Sequence, residues 1–349
     1  MAGEVFDDSA LDDEQVLRRV DPLLRRLAES GARVRREVDS TRPAVTGLHA
    51  EVRPRAMVVA GADSRLLRAV LEPWCPVPFV AWPGPGLPGW TGALDMVVVL
   101  APRSGDDAAS TAVAEAVRRG STLLVACPSH APIAELAAAR ETTVLPTVTD
   151  DTLAVAVAVL VALQRLGLGP EVDPDAVAVA LDEVAVRCSP FRDLAGNPAK
   201  ELAIVLAEAT PLVWGGSVLA ARAARRIAEA LRRASGRTAL AADADHLMPV
   251  LAAAAPADPF ADPFADPFAD GPAGTLRPAL VLLDDEVDAP VVREQRGRLV
   301  AAAQAQRVRV HTVTGAEGGA VARYGSLMTT GAYAAAYLGV GLGRAAVEW

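Results

Sequence analysis

The chain has 349 residues, 43 of them acidic and 34 basic, giving a formal net charge of −9. A protein that works by neutralising phosphates along a nucleic acid carries the opposite balance, so composition argues against that class. With 52% apolar and aromatic residues, the chain is long enough to bury a sizeable core, in two domains or in one α/β domain with an internal repeat.

Residues Met1 to Gln15 carry six acidic side chains and no apolar run of the secretory kind, so a cytoplasmic location is expected. Cys75, Cys127 and Cys188 are odd in number and far apart, with no CxxC pair. They read as reduced, mostly buried thiols, with no metal site and no cofactor implied. Leu11 to Val38 has Val16, Val20, Leu23, Leu24 and Leu27 on one helical face and arginines outside it, which predicts an amphipathic lead-in helix.

At Ala56 to Ala60 the pattern becomes that of a buried strand. Gly61 to Ser64 follows as a turn opening a helix over Arg65 to Leu71. After a proline-rich stretch from Pro73 to Pro88 come a strand at Met96 to Leu100, a polar turn at Pro102 to Ser110 and a helix from Ala112 to Arg119. A strand at Thr122 to Ala126 and a helix at Ala131 to Ala139 complete this half. Strands and helices alternating at this pitch imply a parallel sheet with right-handed crossovers.

Leu153 to Gly167 reads as an apolar core helix, because its uncharged run of eleven residues to Leu163 falls short of the roughly 20 that a span needs. Helices at Ala176 to Val186 and Pro198 to Leu206 follow. The pattern then restarts with a strand at Pro211 to Trp214, a Gly215-Gly216-Ser217 turn and a helix over Val218 to Arg233. Strands at Leu280 to Leu283 and Arg307 to Val313, a helix at Val291 to Gln304 and a glycine-rich closing helix at Tyr324 to Gly343 finish it. No membrane span is expected. The chain therefore reads as two copies of one α/β plan: a helical lead-in at 1–54, a first half at 55–150, a helical connection at 151–206 and a second half at 207–349. A threefold Asp-Pro-Phe-Ala repeat, Asp258 to Ala269, falls in a low-complexity loop at 256–274 that interrupts the second half.

Paired strand, Gly-Ser turn, helix units within some 300 residues resemble the SIS (sugar isomerase) fold, two doubly wound parallel-sheet subdomains. More narrowly, the chain is similar to the bifunctional phosphoglucose/phosphomannose isomerase family. The ordered set that carries the resemblance is Gly61 to Ser64, Arg103 to Asp107, Asn197 to Ala203, Val213 to Ser217, Leu280 to Asp284 and Leu327 to Gly343. It implies a hexose phosphate or related carbohydrate derivative as ligand, a homodimer, and an activity interconverting glucose 6-phosphate or mannose 6-phosphate with fructose 6-phosphate.

The family holds phosphate at a Ser-x-Ser-Gly-Asn-Thr-Glu turn, where N–H groups at a helix start attract an anion. The matching turn here keeps Ser104 and Gly105, with Arg103 as an added cation, followed by Asp106 and Asp107. Phosphate binding there competes with a self-capped turn. Ser64 in the first turn, and Gly216 with Ser217 in the second half, complete the candidate phosphate set.

Isomerisation needs a base to move a proton between adjacent carbons. The family places a glutamate within an Asn-His-Asn-Glu type of segment. The matching stretch, Ala242 to Pro249, keeps His246 but has Met248 or Pro249 where the glutamate belongs, leaving Asp245 and His246 as the substitute candidates. Asp284 to Pro290 holds no ring-opening histidine, and the family's terminal lysine is replaced by Arg344 as the only late cation. Two readings follow: a sugar-phosphate-binding or regulatory protein with degraded catalysis, or an isomerase working through displaced groups.

Overall fold

The computed structural model describes residues 5–49, 53–61, 64–103, 105–254 and 276–344. It divides into two compact units, one of 1–29 with 180–349 and the other of 30–179. The segments 1–54 and 151–206 are thus each shared between units rather than forming bodies of their own.

The lead-in is two helices, α1 (Glu14–Ala28) and α2 (Ser30–Thr46), where one was expected. Asp13 caps α1 by accepting from the Gln15 and Val16 N–H groups, and Glu29 ends it. The break has a packing cause. The Leu17, Val20, Leu23 and Leu24 face of α1 is buried in one unit, while α2 buries Val34 and Glu37 in the other.

The unit of 30–179 contains β1 (Met57–Ala60), α3 (Ser64–Leu71), β2 (Phe79–Trp82), β3 (Met96–Leu100), α4 (Asp107–Arg119), β4 (Thr122–Cys127), α5 (Pro132–Leu136), β5 (Thr142–Pro146) and α6 (Thr152–Arg165). Its five strands are parallel, in the order β2-β1-β3-β4-β5. Val58, Ala60, Val97, Val99, Leu123 and Val125 point to the face covered by Ala112, Val113 and Ala116 of α4. Their near-continuous apolar runs are those of strands buried on both faces. Strand β2 had been hidden by the prolines around it, and β5 by its mixed Thr-Thr-Val-Leu composition.

Helix α7 (Pro174–Arg187) precedes the second sheet, which is built from α8 (Pro198–Leu206), β6 (Ala209–Gly215), α9 (Val218–Ser235), β7 (Leu240–Ala241), α10 (Ala244–Ala252), β8 (Arg277–Asp284), α11 (Pro290–Ala305), β9 (Arg309–Thr314) and α12 (Ala320–Gly341). The strand order β7-β6-β8-β9 repeats that of the first sheet without its fifth strand. Leu212, Trp214, Leu280 and Leu282 pack against Leu247 and Leu251 of α10 and Leu299 and Ala303 of α11. Among the described residues, no helix is long and apolar enough to cross a membrane. The threefold Asp-Pro-Phe-Ala repeat lies outside the described residues.

Each sheet has a point where the strand order reverses, between β1 and β3 in the first and between β6 and β8 in the second. In open parallel sheets the crevice beyond the carboxyl ends of such a strand pair is where ligands bind. That rule places Gly61, Ser64, Arg103 and Gly105 to Asp107 at one crevice, and Gly216 to Ser217 and Asp284 to Asp285 at the other.

Candidate functional site

At the first crevice, Ser64 is the first residue of α3 and is fully buried. Its Oγ has no hydrogen-bond partner among the described residues. A buried hydroxyl without a partner costs about 1–3 kcal/mol, and such groups mark places where something outside the fold completes the bonding. Across the crevice, Arg103 is exposed and Gly105 holds a left-handed φ of 87°, a conformation that favours glycine. Ser104 lies outside the described residues.

Asp106 settles how helix α4 begins. Its carboxylate accepts from the Ala109 N–H at 2.9 Å, so the self-capped alternative is the one realised. A phosphate dianion approaching this helix start meets a carboxylate already seated on it. The α3 start likewise follows an aspartate, Asp63, which lies outside the described residues, and it adds the Ser64 hydroxyl.

The second crevice is built differently. Ser217 caps α9 by accepting from the Ala220 N–H at 3.0 Å, and its own O–H donates to Asp285 Oδ2 in a short hydrogen bond. A serine has one proton to give. Here that proton is directed at the Asp285 carboxylate. Gly215 and Gly216 are also spoken for. A Cβ on Gly215 would run into the Ala220 backbone, and one on Gly216 would meet Val292 and, at 2.8 Å, the Trp214 ring. These glycines let α9 and α11 approach the strand rather than cradle an anion.

Asp285 is the residue that sequence reasoning missed. It is only 8% exposed, at the carboxyl end of β8. Its neighbours balance the local charge: Arg296 Nη1 lies 2.6 Å from Asp284 Oδ2, Arg323 Nη1 donates to the Asp285 carbonyl at 3.2 Å, and Arg323 Nη2 lies 3.5 Å from Glu286. Burial raises the Asp284 pKa, but the Arg296 bond and the Glu286 N–H outweigh it and hold the carboxyl below its ordinary value. The available signal was Asp285's place directly after an apolar strand, at a position inspected only for a histidine.

Asp245 and His246 follow β7 rather than either strand of the β6–β8 reversal. Both are exposed on the first turn of α10, with Asp245 paired to Arg298 of α11 at 3.2 Å. Met248 packs into the apolar cluster beside Leu247. Cys127 is buried, and burial pushes its thiol pKa up to about 11, far from the thiolate a nucleophile needs. Burial likewise lowers the half-buried His311 on β9.

Residues 195–348 match the family model of the bacterial phospho-glucose isomerase C-terminal SIS domain. Comparison with curated proteins finds no match. Among solved structures, the chain is similar to a glucose-6-phosphate isomerase like protein from Thermus thermophilus, with 17% identity over 96% of this chain and 94% of that one and a TM-score of 0.55. It is similar to the tagatose-6-phosphate ketose/aldose isomerase of Escherichia coli, with 12% identity, the same coverage and a TM-score of 0.58. The C-terminal domain of a Francisella tularensis glucosamine-fructose-6-phosphate aminotransferase gives 9% identity over 91% and 95% of the two chains, with a TM-score of 0.62. The two-sheet α/β architecture is thus the SIS fold, and the chain resembles the phosphoglucose isomerase branch of it.

Proposed function

We propose that this SIS-fold protein binds a phosphorylated hexose at the crevice of its first sheet and has shed the proton-transfer groups of an isomerase, serving a binding or regulatory role as a cytoplasmic homodimer. The observation that carries this reading is the fully buried Ser64 hydroxyl at the start of α3, which has no hydrogen-bond partner among the described residues. A phosphate oxygen there accepts the Ser64 proton and sits at the positive end of the helix, and Arg103 adds a charge-assisted contact. The phosphosugar names of the structural neighbours support the ligand class, the resemblance supports the dimer, and the cysteine pattern and acidic first residues support the compartment.

Loss of chemistry rests on the fate of the base. Proton transfer demands a group within hydrogen-bond reach of the reacting carbons, and the stretch that should supply it presents an exposed, ion-paired Asp245, an exposed His246 and a core-packed Met248. One observation favours the second reading, an active aldose-ketose isomerase: Asp285 is a buried ionisable group at a strand-order reversal.

Thermal-shift measurements with glucose 6-phosphate, mannose 6-phosphate and fructose 6-phosphate, alongside unphosphorylated glucose, test the binding claim. The phosphorylated sugars should raise Tm, glucose should not, and Ser64→Ala should abolish the shift. No shift with any phosphorylated sugar overturns the reading. A coupled assay for fructose 6-phosphate should show no turnover; turnover lost in Asp285→Asn would establish the second reading instead.

A further inference from the structure

A phosphorylated sugar anchored at the start of α3 must still lay its hydroxyl-bearing end along the carboxyl edge of the first sheet, and most of that edge has nothing to bond it with. On the β2 side the chain is apolar. No charged residue occurs from Pro73 to Leu94 and no polar side chain from Pro83 to Pro88, and the Trp82 indole N–H is given to the Pro85 carbonyl at 3.3 Å. Beyond β5, the Thr147 N–H donates to the Cys127 carbonyl at 2.9 Å, and the Val148 and Thr149 N–H groups donate to the buried Glu37 carboxylate. At the start of α4, the Asp106 carboxylate is taken by the Ala109 N–H. Groups already paired add little to the binding of a polyol.

The turn after β4 differs. Cys127 ends the strand fully buried, and the Pro128 carbonyl accepts from the Ala131 N–H at 3.0 Å. That bond closes a β-turn whose two central residues are Ser129 and His130. Both are exposed, and neither side chain has a hydrogen bond or an ion pair among the described residues. Of the four histidines, His49 precedes β1, His246 belongs to α10 and His311 to β9, so His130 alone stands at this edge.

Spacing then fixes what can reach it. In the order β2-β1-β3-β4-β5, β4 lies two strands from β1. Neighbouring strands are about 4.8 Å apart, which puts the β4 turn on the order of 10 Å along the edge from the strand that leads into Ser64. A six-carbon sugar phosphorylated at one end covers that distance once an imidazole leans toward it. A three-carbon phosphate anchored at Ser64 stops short.

We propose that His130 reads the sugar at this site, its imidazole hydrogen-bonding the hydroxyl end of a hexose phosphate whose phosphate is held at Ser64, with the Ser129 hydroxyl beside it. A neutral imidazole carries one donor and one acceptor nitrogen, so it can meet a hydroxyl in either sense. The closed turn holds the residue in place before the ligand arrives, which lowers the cost of ordering it on binding. The inference rests on the phosphohexose reading above and adds selection by length, six-carbon phosphates over three-carbon ones.

Isothermal titration calorimetry with glucose 6-phosphate and glycerol 3-phosphate separates the two claims. Wild type should bind both, with glucose 6-phosphate about five- to tenfold tighter, the amount one added hydrogen bond supplies. His130→Ala should bring glucose 6-phosphate down to the affinity of glycerol 3-phosphate and leave the latter unchanged. His130→Gln, which keeps a donor and an acceptor, should retain part of the preference. In proton NMR the His130 Cε1–H resonance, identified by its absence from the His130→Gln spectrum, should move with glucose 6-phosphate and stay in place with glycerol 3-phosphate. An unchanged preference in His130→Ala, an equal loss for both ligands, or a resonance that does not move overturns the role of His130 while the phosphohexose reading stands. Binding of neither ligand by wild type overturns that reading and this inference with it.

Discussion

The ammonium of Lys200, fully buried at the start of α8, meets the carboxylate of Asp12 at 2.6 Å across 188 positions of sequence. The same nitrogen donates to the carbonyls of Pro190 at 3.0 Å and Arg192 at 2.9 Å, and it lies 5.6 Å from the centroid of the Tyr337 ring. Three acceptors and an aromatic face satisfy a charge that would otherwise be prohibitive to bury. This junction fastens the segment before α1 to the loop 188–197, which is why the first residues of the chain belong with its second half.

Removing either partner of that junction should therefore be costly, and the two losses should be coupled. Asp12→Asn leaves a buried ammonium with neutral acceptors only and is expected to cost about 3 kcal/mol. Lys200→Met strands two carbonyls and is expected to cost about 2 kcal/mol. Urea denaturation of both single variants and the double variant should show the double losing clearly less than the sum. Strict additivity would mean that the two side chains act independently.

The Ser217–Asp285 bond makes an asymmetric prediction about stability. Ser217→Ala removes a helix cap worth about 1 kcal/mol and leaves a buried carboxylate oxygen unbonded, for a further 1–3 kcal/mol or so. Asp285→Asn keeps an oxygen that accepts the Ser217 proton, so it should cost well under half as much. Chemical denaturation that ranks the two variants in the opposite order would show that the Asp285 charge, not the hydrogen bond, holds this turn.

Two buried carboxylates should give opposite slopes of stability against pH. Burial raises Asp95, but Arg55, at 2.9 and 2.6 Å, and the Gly92 N–H outweigh it, so its folded pKa lies below the ordinary 3.8. Its contribution is present above 3.8 and is lost as pH falls through the lowered folded value. Asp95→Asn should abolish that acid-side loss. For Glu37, burial is the largest influence and raises its pKa above 4.5, despite N–H groups of Val148 and Thr149 donating to it. Its contribution is complete below 4.5 and is lost as pH rises through the raised folded value, so Glu37→Gln should flatten that decline. Denaturation midpoints from about pH 3 to pH 8, taken for wild type and both variants, separate the two effects. A Glu37→Gln curve parallel to wild type above pH 4.5 would contradict the assignment.

Local pattern was enough for the strand-turn-helix order of both halves, for the apolar runs of β1, β3, β4, β6 and β8, and for the resemblance to SIS isomerases. These features are continuous runs of four to eight residues, and a short window of sequence contains them whole. Strand β2, set among prolines, and the two-residue β7 escaped because their pairing comes from a neighbouring strand rather than from their own composition.

Sequence alone determined that the chain alternates strands and helices, since that is a matter of which residue stands where. Tertiary structure alone decided that the Ser64 hydroxyl has no hydrogen-bond partner among the described residues, that Ser217 meets Asp285, and that Asp245 pairs with Arg298. The reason is distance along the chain. Ser217 and Asp285 are separated by 68 positions and Lys200 and Asp12 by 188, and whether such groups meet depends on strand order and helix packing, which no local periodicity encodes.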